Sequence, residues 1–142
     1  MDMIDRLKML LARASAKPAQ TELIYILLPQ DLDPFERHVR FADPIDVELR
    51  LAGLGYVSGG GSLSRADDED GSQEAEFCGV DVEATDVPAA RDLLRRLLPA
   101  LECPTGTQLH YREAGEPLQD EYDGTDWVIG RPPERLHPAF GL

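Results

Sequence analysis

The chain is short of positive charge. It contains 14 Lys and Arg against 27 Asp and Glu, which gives a formal net charge of -13. Binding to DNA, RNA or anionic membranes depends on cationic side chains, so we expect no nucleic acid and no membrane as partners. A basic protein partner is favoured electrostatically, although acidic surfaces also serve solubility alone.

Cysteines and long apolar runs are also scarce. Cys78 and Cys103 form neither a CxxC pair nor a pair with a histidine at ligand spacing. We therefore expect reduced, partly buried thiols, with no disulfide framework and no zinc site. No apolar run approaches the roughly 20 residues that cross a bilayer, and Asp2, Asp5 and Arg6 interrupt the place of a signal-peptide apolar region. These absences predict a cytoplasmic protein.

Aromatic residues are few as well, and Trp127 is the single tryptophan. The core must therefore consist mainly of Leu, Val, Ile and Ala. A chain of 142 residues accommodates one domain with appendages. We divide it into an N-terminal amphipathic helix over residues 1–16, an α+β domain over residues 21–112, and a C-terminal extension over residues 113–142 with a hairpin near Trp127 and a Pro-rich tail.

Hydrophobic periodicity predicts the order strand, helix, strand, strand, helix, strand for the central domain. This order is the ferredoxin-like βαββαβ arrangement, an antiparallel sheet with two helices on one face. Residues 30–42 are expected to form a long connection with one helical turn. The predicted strands span residues 22–28, 55–64, 74–84 and 107–112.

Local signals predict where the two helices begin and end. Asp43 is placed to cap the first helix, with Pro44 at the first helical position and Gly53 or Gly55 as the stop. Thr85 and Asp86 are the candidate caps of the second helix. Pro99 removes a backbone donor, so the second helix is expected to end or kink there.

Acidic residues in two places are candidate contacts for a cationic partner. In the third strand Cys78, Val80, Val82 and Ala84 alternate with Phe77, Gly79, Asp81 and Glu83, so Asp81 and Glu83 share the face away from the core. The turn before this strand supplies the other candidates. Its acids are adjacent in sequence and lack the spacing of a calcium loop, so no metal site is predicted. The candidate binding residues of the turn are Asp67, Asp68 and Asp70.

The run from Gly59 to Gly61 raises the question of a phosphate loop. Such a loop needs a lysine after its last glycine and a helix behind it, whereas Ser62 follows here. A nucleophile elbow is also absent, and no histidine is placed beside a serine. We therefore predict a strand with a bulge or a close backbone approach, no catalytic residue and no cofactor.

Several short segments carry a resemblance to a known group of proteins. They are Asp43–Pro44, Gly59–Ser62, Val80–Glu83 and Pro104–Thr107. Over about residues 21–112 the chain resembles small, mostly uncharacterised bacterial proteins of ferredoxin-like shape. Some similar acidic proteins act as immunity partners of secreted toxins, so the resemblance implies this fold and a binding role, with no catalytic residue to carry over.

Three hypotheses for the function follow. The leading one is a non-catalytic interaction protein that binds a basic protein partner, as an immunity protein or inhibitor does. The second is a small-molecule-sensing domain that acts as a homodimer, with Tyr25, His110 and Tyr111 lining the site. The third is an enzyme that uses Asp81, Glu83 or His110, which requires these side chains to converge in a concave pocket.

Overall fold

The chain folds around one antiparallel sheet. The computed structural model describes residues 3–7, 20–30, 32–64 and 75–133, which form an α+β fold with six strands in the order β2-β3-β1-β4-β5-β6. The strands are β1 (Glu22–Leu28), β2 (Gly55–Ser64), β3 (Ala75–Ala84), β4 (Gln108–Glu113), β5 (Glu116–Tyr122) and β6 (Trp127–Arg131).

The sheet is larger than the expected four strands. β1 to β4 lie where the sequence predicts them, within one residue at each end. β1 pairs with β3 on one side and with β4 on the other, and β2 pairs with β3. β5 and β6 then continue the sheet beyond β4. Residues assigned to a C-terminal extension therefore belong to the sheet.

Residues 34–52 are helical without a break. They comprise α1 (Pro34–Arg37), a π-helical turn (His38–Ala42) and α2 (Asp43–Ala52). α2 ends at Gly53, whose φ of 73° lies in the left-handed region that glycine adopts readily. The expected single helical turn before Asp43 is thus two turns that lead directly into α2.

α2 begins at Asp43 with Pro44 in its first turn, as predicted, but Asp43 does not cap it, because Ala42 holds the N-cap position and the helical backbone already begins at Asp33-Pro34. The Asp33 carboxylate accepts the Glu36 amide at 2.9 Å, and Pro34 occupies the first turn. Asp43 lies inside a continuous helix, where Pro44 has no N–H for the carbonyl one turn earlier. The π-helical turn directly precedes this proline, and such turns occur as local irregularities within α-helices.

The second predicted helix is α3 (Val87–Ala100). It begins as predicted, because the Asp86 carboxylate accepts the Ala89 amide at 3.1 Å. Capping of this kind fixes the point where the chain leaves β3 and turns back over the sheet.

α3 includes Pro99 and ends one residue later at Ala100, close to the end or kink that the sequence predicted. A proline cannot donate to the carbonyl four residues before it, which here is that of Arg95. The indole Nε1 of Trp127 donates to the Arg95 carbonyl at 2.9 Å instead. A side chain from β6 thus replaces the backbone donor that Pro99 lacks.

α2 and α3 contribute buried side chains to one core with alternate residues of the sheet. The predicted core face of β3 is confirmed, since Cys78, Val80, Val82 and Ala84 are all buried. Cys78 and Cys103 are buried free thiols, and burial raises the pKa of Cys103. The opposite face of the sheet, which carries Leu23, Tyr25 and Leu27 of β1, is called the outer face below.

Part of the predicted N-terminal helix is described. Residues 3–7 are helical, and the remainder of residues 1–16 lies outside the described residues. Arg6 forms an ion pair of 3.6 Å with Glu48 of α2, while Ile4 and Leu7 are exposed. Among the described residues, no helix has the length and apolar character needed to span a membrane.

Candidate functional site

Three of the predicted binding residues form a row across the outer face. Asp81 of β3 lies opposite Tyr25 of β1, and Tyr25 lies opposite His110 of β4. The rings of Tyr25 and His110 meet edge to face with centroids 6.0 Å apart. The predicted strand order therefore places these side chains next to one another, as a shared site requires.

This row belongs to the hydrogen-bonded body of the sheet. Tyr25 and His110 are 4% and 2% exposed. Burial raises the pKa of Tyr25, and the negative charge of Asp81 adds to the effect. The ring Nε2 of His110 lies 2.8 Å from the amide oxygen of Gln108, whose amide nitrogen donates to Glu121. Buried side chains in such a network are poorly placed to meet a macromolecular partner.

Asp81 and Glu83 are half-buried. The Glu83 carboxylate accepts hydrogen bonds from the hydroxyl groups of Thr21 at 2.8 Å and Ser58 at 3.4 Å. Part of its hydrogen-bonding capacity is therefore used within the chain. The other predicted contacts lie outside the described residues, namely Asp67, Asp68 and Asp70.

Tyr111 does not share a site with Tyr25 and His110. Successive residues of a strand point to opposite faces, so Tyr111 lies on the helix-covered face, where it is fully buried. Its hydroxyl donates to Asp120 at 2.7 Å. The trio proposed for a ligand site is therefore split between the two faces of the sheet.

A buried ionic cluster surrounds Asp120 of β5. The fully buried Asp120 carboxylate accepts from the Arg91 and Arg95 guanidinium groups at 2.8 to 3.0 Å, and from the Gly130 amide at 3.0 Å. The Arg91 guanidinium carbon lies 3.7 Å from the Tyr111 ring centroid. Burial and the bond to Asp120 raise the pKa of Tyr111. These contacts join α3 to the last three strands, which makes the cluster structural.

A cavity of about 600 Å³ opens at the N-terminal end of α3. It is lined by groups of both signs, among them Glu22, Asp86, Arg91, Arg112 and Glu113. The enzyme hypothesis required Asp81, Glu83 and His110 to converge in a pocket, and none of them lines this cavity. Within the described residues, no three His, Cys, Asp or Glu side chains are grouped to hold a metal ion.

The triple glycine lies inside β2 and not in a loop before a helix. The register between β2 and β3 shifts between Val57 and Gly59, as a bulge produces. A Cβ on Gly60 would lie 2.5 Å from the Gly79 carbonyl oxygen. The prediction of a bulge or a close backbone approach is confirmed.

The exposed surface is strongly acidic. Among the described residues, twelve carboxylate side chains are exposed but only four guanidinium groups. Several arginines are held inside the fold: Arg91 and Arg95 bind Asp120, and Arg50 binds Asp46 at 3.0 Å. The internal pairing of these arginines leaves the surface carboxylates in excess.

Two acidic loops meet at one end of the sheet. The Gly106 amide donates to the Tyr122 carbonyl at 2.8 Å, which joins the loop of residues 102–106 to the end of β5, directly before the turn of residues 123–126. We call these two loops the acidic end. They contain no Lys or Arg, and they expose the carboxylates of Glu102, Asp123 and Asp126.

Asp123 also orders the turn at the acidic end. Its carboxylate accepts the amides of Thr125 and Asp126 at 2.9 and 2.8 Å. These bonds lower the pKa of Asp123, because they favour the charged form. The charged Asp123 carboxylate therefore helps to hold the turn.

Comparisons with known proteins give no relative. No protein-family model, curated protein or solved structure matches the chain.

Proposed function

We propose that the protein is a non-catalytic acidic interaction protein that binds a basic protein partner, in the manner of an immunity protein or inhibitor. The observation that carries this proposal is the excess of exposed carboxylates over exposed guanidinium groups. Such a field attracts a basic partner at long range and speeds association. The acidic end is the proposed contact surface, since its carboxylates are exposed whereas Asp81 and Glu83 are half-buried.

We further propose that β1 to β4 with their helices form a ferredoxin-like core. The order β2-β3-β1-β4, with antiparallel neighbours and helices after β1 and after β3, supports this assignment. β5 and β6 would then be an addition to the β4 edge. The proposed kinship with bacterial immunity proteins and the cytoplasmic location rest on the sequence alone.

Binding to a purified partner tests the proposal. The partner is captured from an extract of the source organism at low salt, identified, purified and titrated against the protein. We expect a partner of basic isoelectric point whose dissociation constant rises about tenfold or more as salt shortens the range of electrostatic attraction. Failure to recover a partner, or an affinity that ignores salt, would contradict the proposal.

Paired variants with equal charge changes test the contact surface. Glu102→Gln with Asp126→Asn removes two charges from the acidic end, and Glu36→Gln with Asp43→Asn removes two from the helical segment. All four side chains are exposed. We expect the first pair to weaken binding more than the second, chiefly by slowing association. An equal effect of the two pairs would place the contact elsewhere.

The alternative of a ligand-sensing homodimer has less support. It relied on Tyr25 and His110 at an accessible surface, and both are buried. The enzyme alternative required Asp81, Glu83 and His110 to converge in one pocket, and none of them lines the cavity at α3. Both alternatives make a prediction that the leading proposal does not: a metabolite panel would raise the melting temperature.

A further inference from the structure

The cavity at the N-terminal end of α3 lies between the first turn of this helix and the adjoining end of the sheet. Its volume of about 600 Å³ falls within the range of roughly 300–1,000 Å³ that is usual for small-molecule sites. One wall is apolar and consists of Ala84 at the end of β3 and of Val87 and Pro88 in α3. The cavity therefore has the size and the apolar surface that a small organic ligand requires.

Two carboxylates line the cavity from the sheet, those of Glu22 in β1 and Glu113 in β4. Glu22 precedes the buried Ile24 by two residues, and Glu113 follows the buried Tyr111 by two residues. Side chains of a strand alternate between the two faces of a sheet, so both carboxylates lie on the helix-covered face. β1 and β4 are neighbouring strands, which brings two like charges to the same end of the sheet.

The positive and negative groups that line the cavity differ in whether they have partners. Arg91 is bound by Asp120, and Arg112 also has a partner within the chain. Throughout the part of the chain that the structure describes, the carboxylates of Glu22 and Glu113 form neither a hydrogen bond nor an ion pair. The cavity thus offers uncompensated negative charge to a ligand, whereas its arginines are engaged elsewhere.

We propose that this cavity binds a small organic cation, namely an ammonium or guanidinium group on a short aliphatic chain. Both groups donate charge-assisted hydrogen bonds to carboxylates, and Glu22 and Glu113 supply the acceptors. The aliphatic chain packs against Val87 and Pro88, which removes apolar surface from water. The cavity lies at the opposite end of β4 from the acidic end, so the site does not depend on the proposed basic partner.

Amide chemical shifts of the full-length protein test the site. The protein is titrated with n-butylammonium, n-butylguanidinium, methylammonium and sodium chlorides at matched ionic strength, because any cation screens an acidic protein. We expect at least one butyl cation to move the amide signals of Glu22, Val87 and Glu113 with one saturation curve. It should bind about fivefold or more tightly than methylammonium, which has the charge without the chain. Shifts that sodium or methylammonium reproduces equally would overturn the proposal.

Two pairs of variants with equal charge changes decide whether the cavity carboxylates bind the cation. Glu22→Gln with Glu113→Gln removes two charges from the cavity, and Glu36→Gln with Asp43→Asn removes two from the helical segment. All four side chains are exposed, so we expect both variants to fold. The first pair should weaken binding of the butyl cation about tenfold or more, and the second less than about twofold. Equal effects of the two pairs would overturn the proposal.

Lys and Arg side chains of a protein present the same chemistry as a free amine or guanidine. Lysine and arginine blocked as N-acetyl N-methylamides imitate such side chains and are titrated alongside the butyl cations. We expect the butyl cations to bind more tightly, because the cavity is larger than a single side chain and the blocked ends do not fit inside it. Tighter binding of a blocked amino acid would overturn the assignment to a small molecule and indicate a protein side chain.

Discussion

Asp120 is a buried carboxylate that two arginines share as their counter-charge. Asp120→Asn leaves the guanidinium groups of Arg91 and Arg95 without their shared counter-charge. Loss of one partner from a buried ionic cluster costs about 3–5 kcal/mol, and urea denaturation measures this loss of unfolding free energy.

Asp92→Asn is the matched control for this change. Asp92 also pairs with Arg95, but its side chain is 66% exposed. Exposed pairs contribute about 1 kcal/mol or less. A cost for Asp120→Asn no greater than that for Asp92→Asn would show that the buried cluster is not a main source of stability.

Tyr25 and Tyr111 predict how stability depends on alkaline pH. Burial raises the pKa of both phenols, so they stay protonated in the folded state while the unfolded chain loses these protons near pH 10. The unfolded state then binds fewer protons, and the unfolding free energy falls as the pH rises above about 10. Urea denaturation at a series of pH values measures this fall.

The double variant Tyr25→Phe with Tyr111→Phe isolates the contribution of the two phenols. Its overall stability will be lower because the bond from Tyr111 to Asp120 is lost, so the comparison concerns the slope against pH alone. We expect a shallower fall above about pH 10 than in the unmodified protein. Identical slopes would contradict the assignment.

At the scale of an element, the end of α3 depends on β6. The Trp127 indole donates to the Arg95 carbonyl that Pro99 leaves without a donor. Trp127→Phe leaves this acceptor unsatisfied and should cost about 1–3 kcal/mol beyond the change in packing. Pro99→Ala restores the backbone donor, so the cost of Trp127→Phe should be smaller in that background. A double-mutant cycle measures the coupling.

An additive result in this cycle would contradict the link between the two elements. Tyr122→Phe serves as the control, because its ring also packs beside Trp127 but its hydroxyl bonds Gly124. We expect Tyr122→Phe to cost the same with Pro99 or Ala at that position.

The strands and helices differ in how well their local sequence predicts them. β1 to β4 were predictable because their apolar residues alternate or run continuously between turn signals. The predicted hairpin near Trp127 forms between β5 and β6. The pairing of β5 with β4 was missed because its inward position at Asp120 carries a charge, and its partners Arg91 and Arg95 come from a distant helix. The dipeptide Asp-Pro occurs twice, at Asp33 and Asp43, and the sequence alone did not show that Asp33 caps its helix whereas Asp43 does not.

The candidate site was predictable only in part, for a related reason. Strand order placed Tyr25, Asp81 and His110 in one row, but burial depends on the whole fold and not on the order of strands.

At the scale of the whole molecule, the net charge of -13 predicts stabilisation by salt. Exposed carboxylates repel one another in the folded state more than in the expanded chain, and chloride salts screen this repulsion. We expect the melting temperature to rise with sodium chloride. The variant Glu102→Gln with Asp126→Asn should raise the melting temperature at low salt and reduce its salt dependence, and unchanged values would contradict this account.

Trp127 is the single tryptophan, so its intrinsic fluorescence reports on the contact between β6 and α3. Its indole extends from β6 to α3, where it donates to the Arg95 carbonyl. The centroids of the Trp127 and Tyr122 rings lie 5.3 Å apart. Its emission will therefore change when β6 detaches from α3, even while β1 to β4 stay folded. Comparing fluorescence with circular dichroism in one denaturation series would reveal whether the hairpin separates before the rest of the sheet.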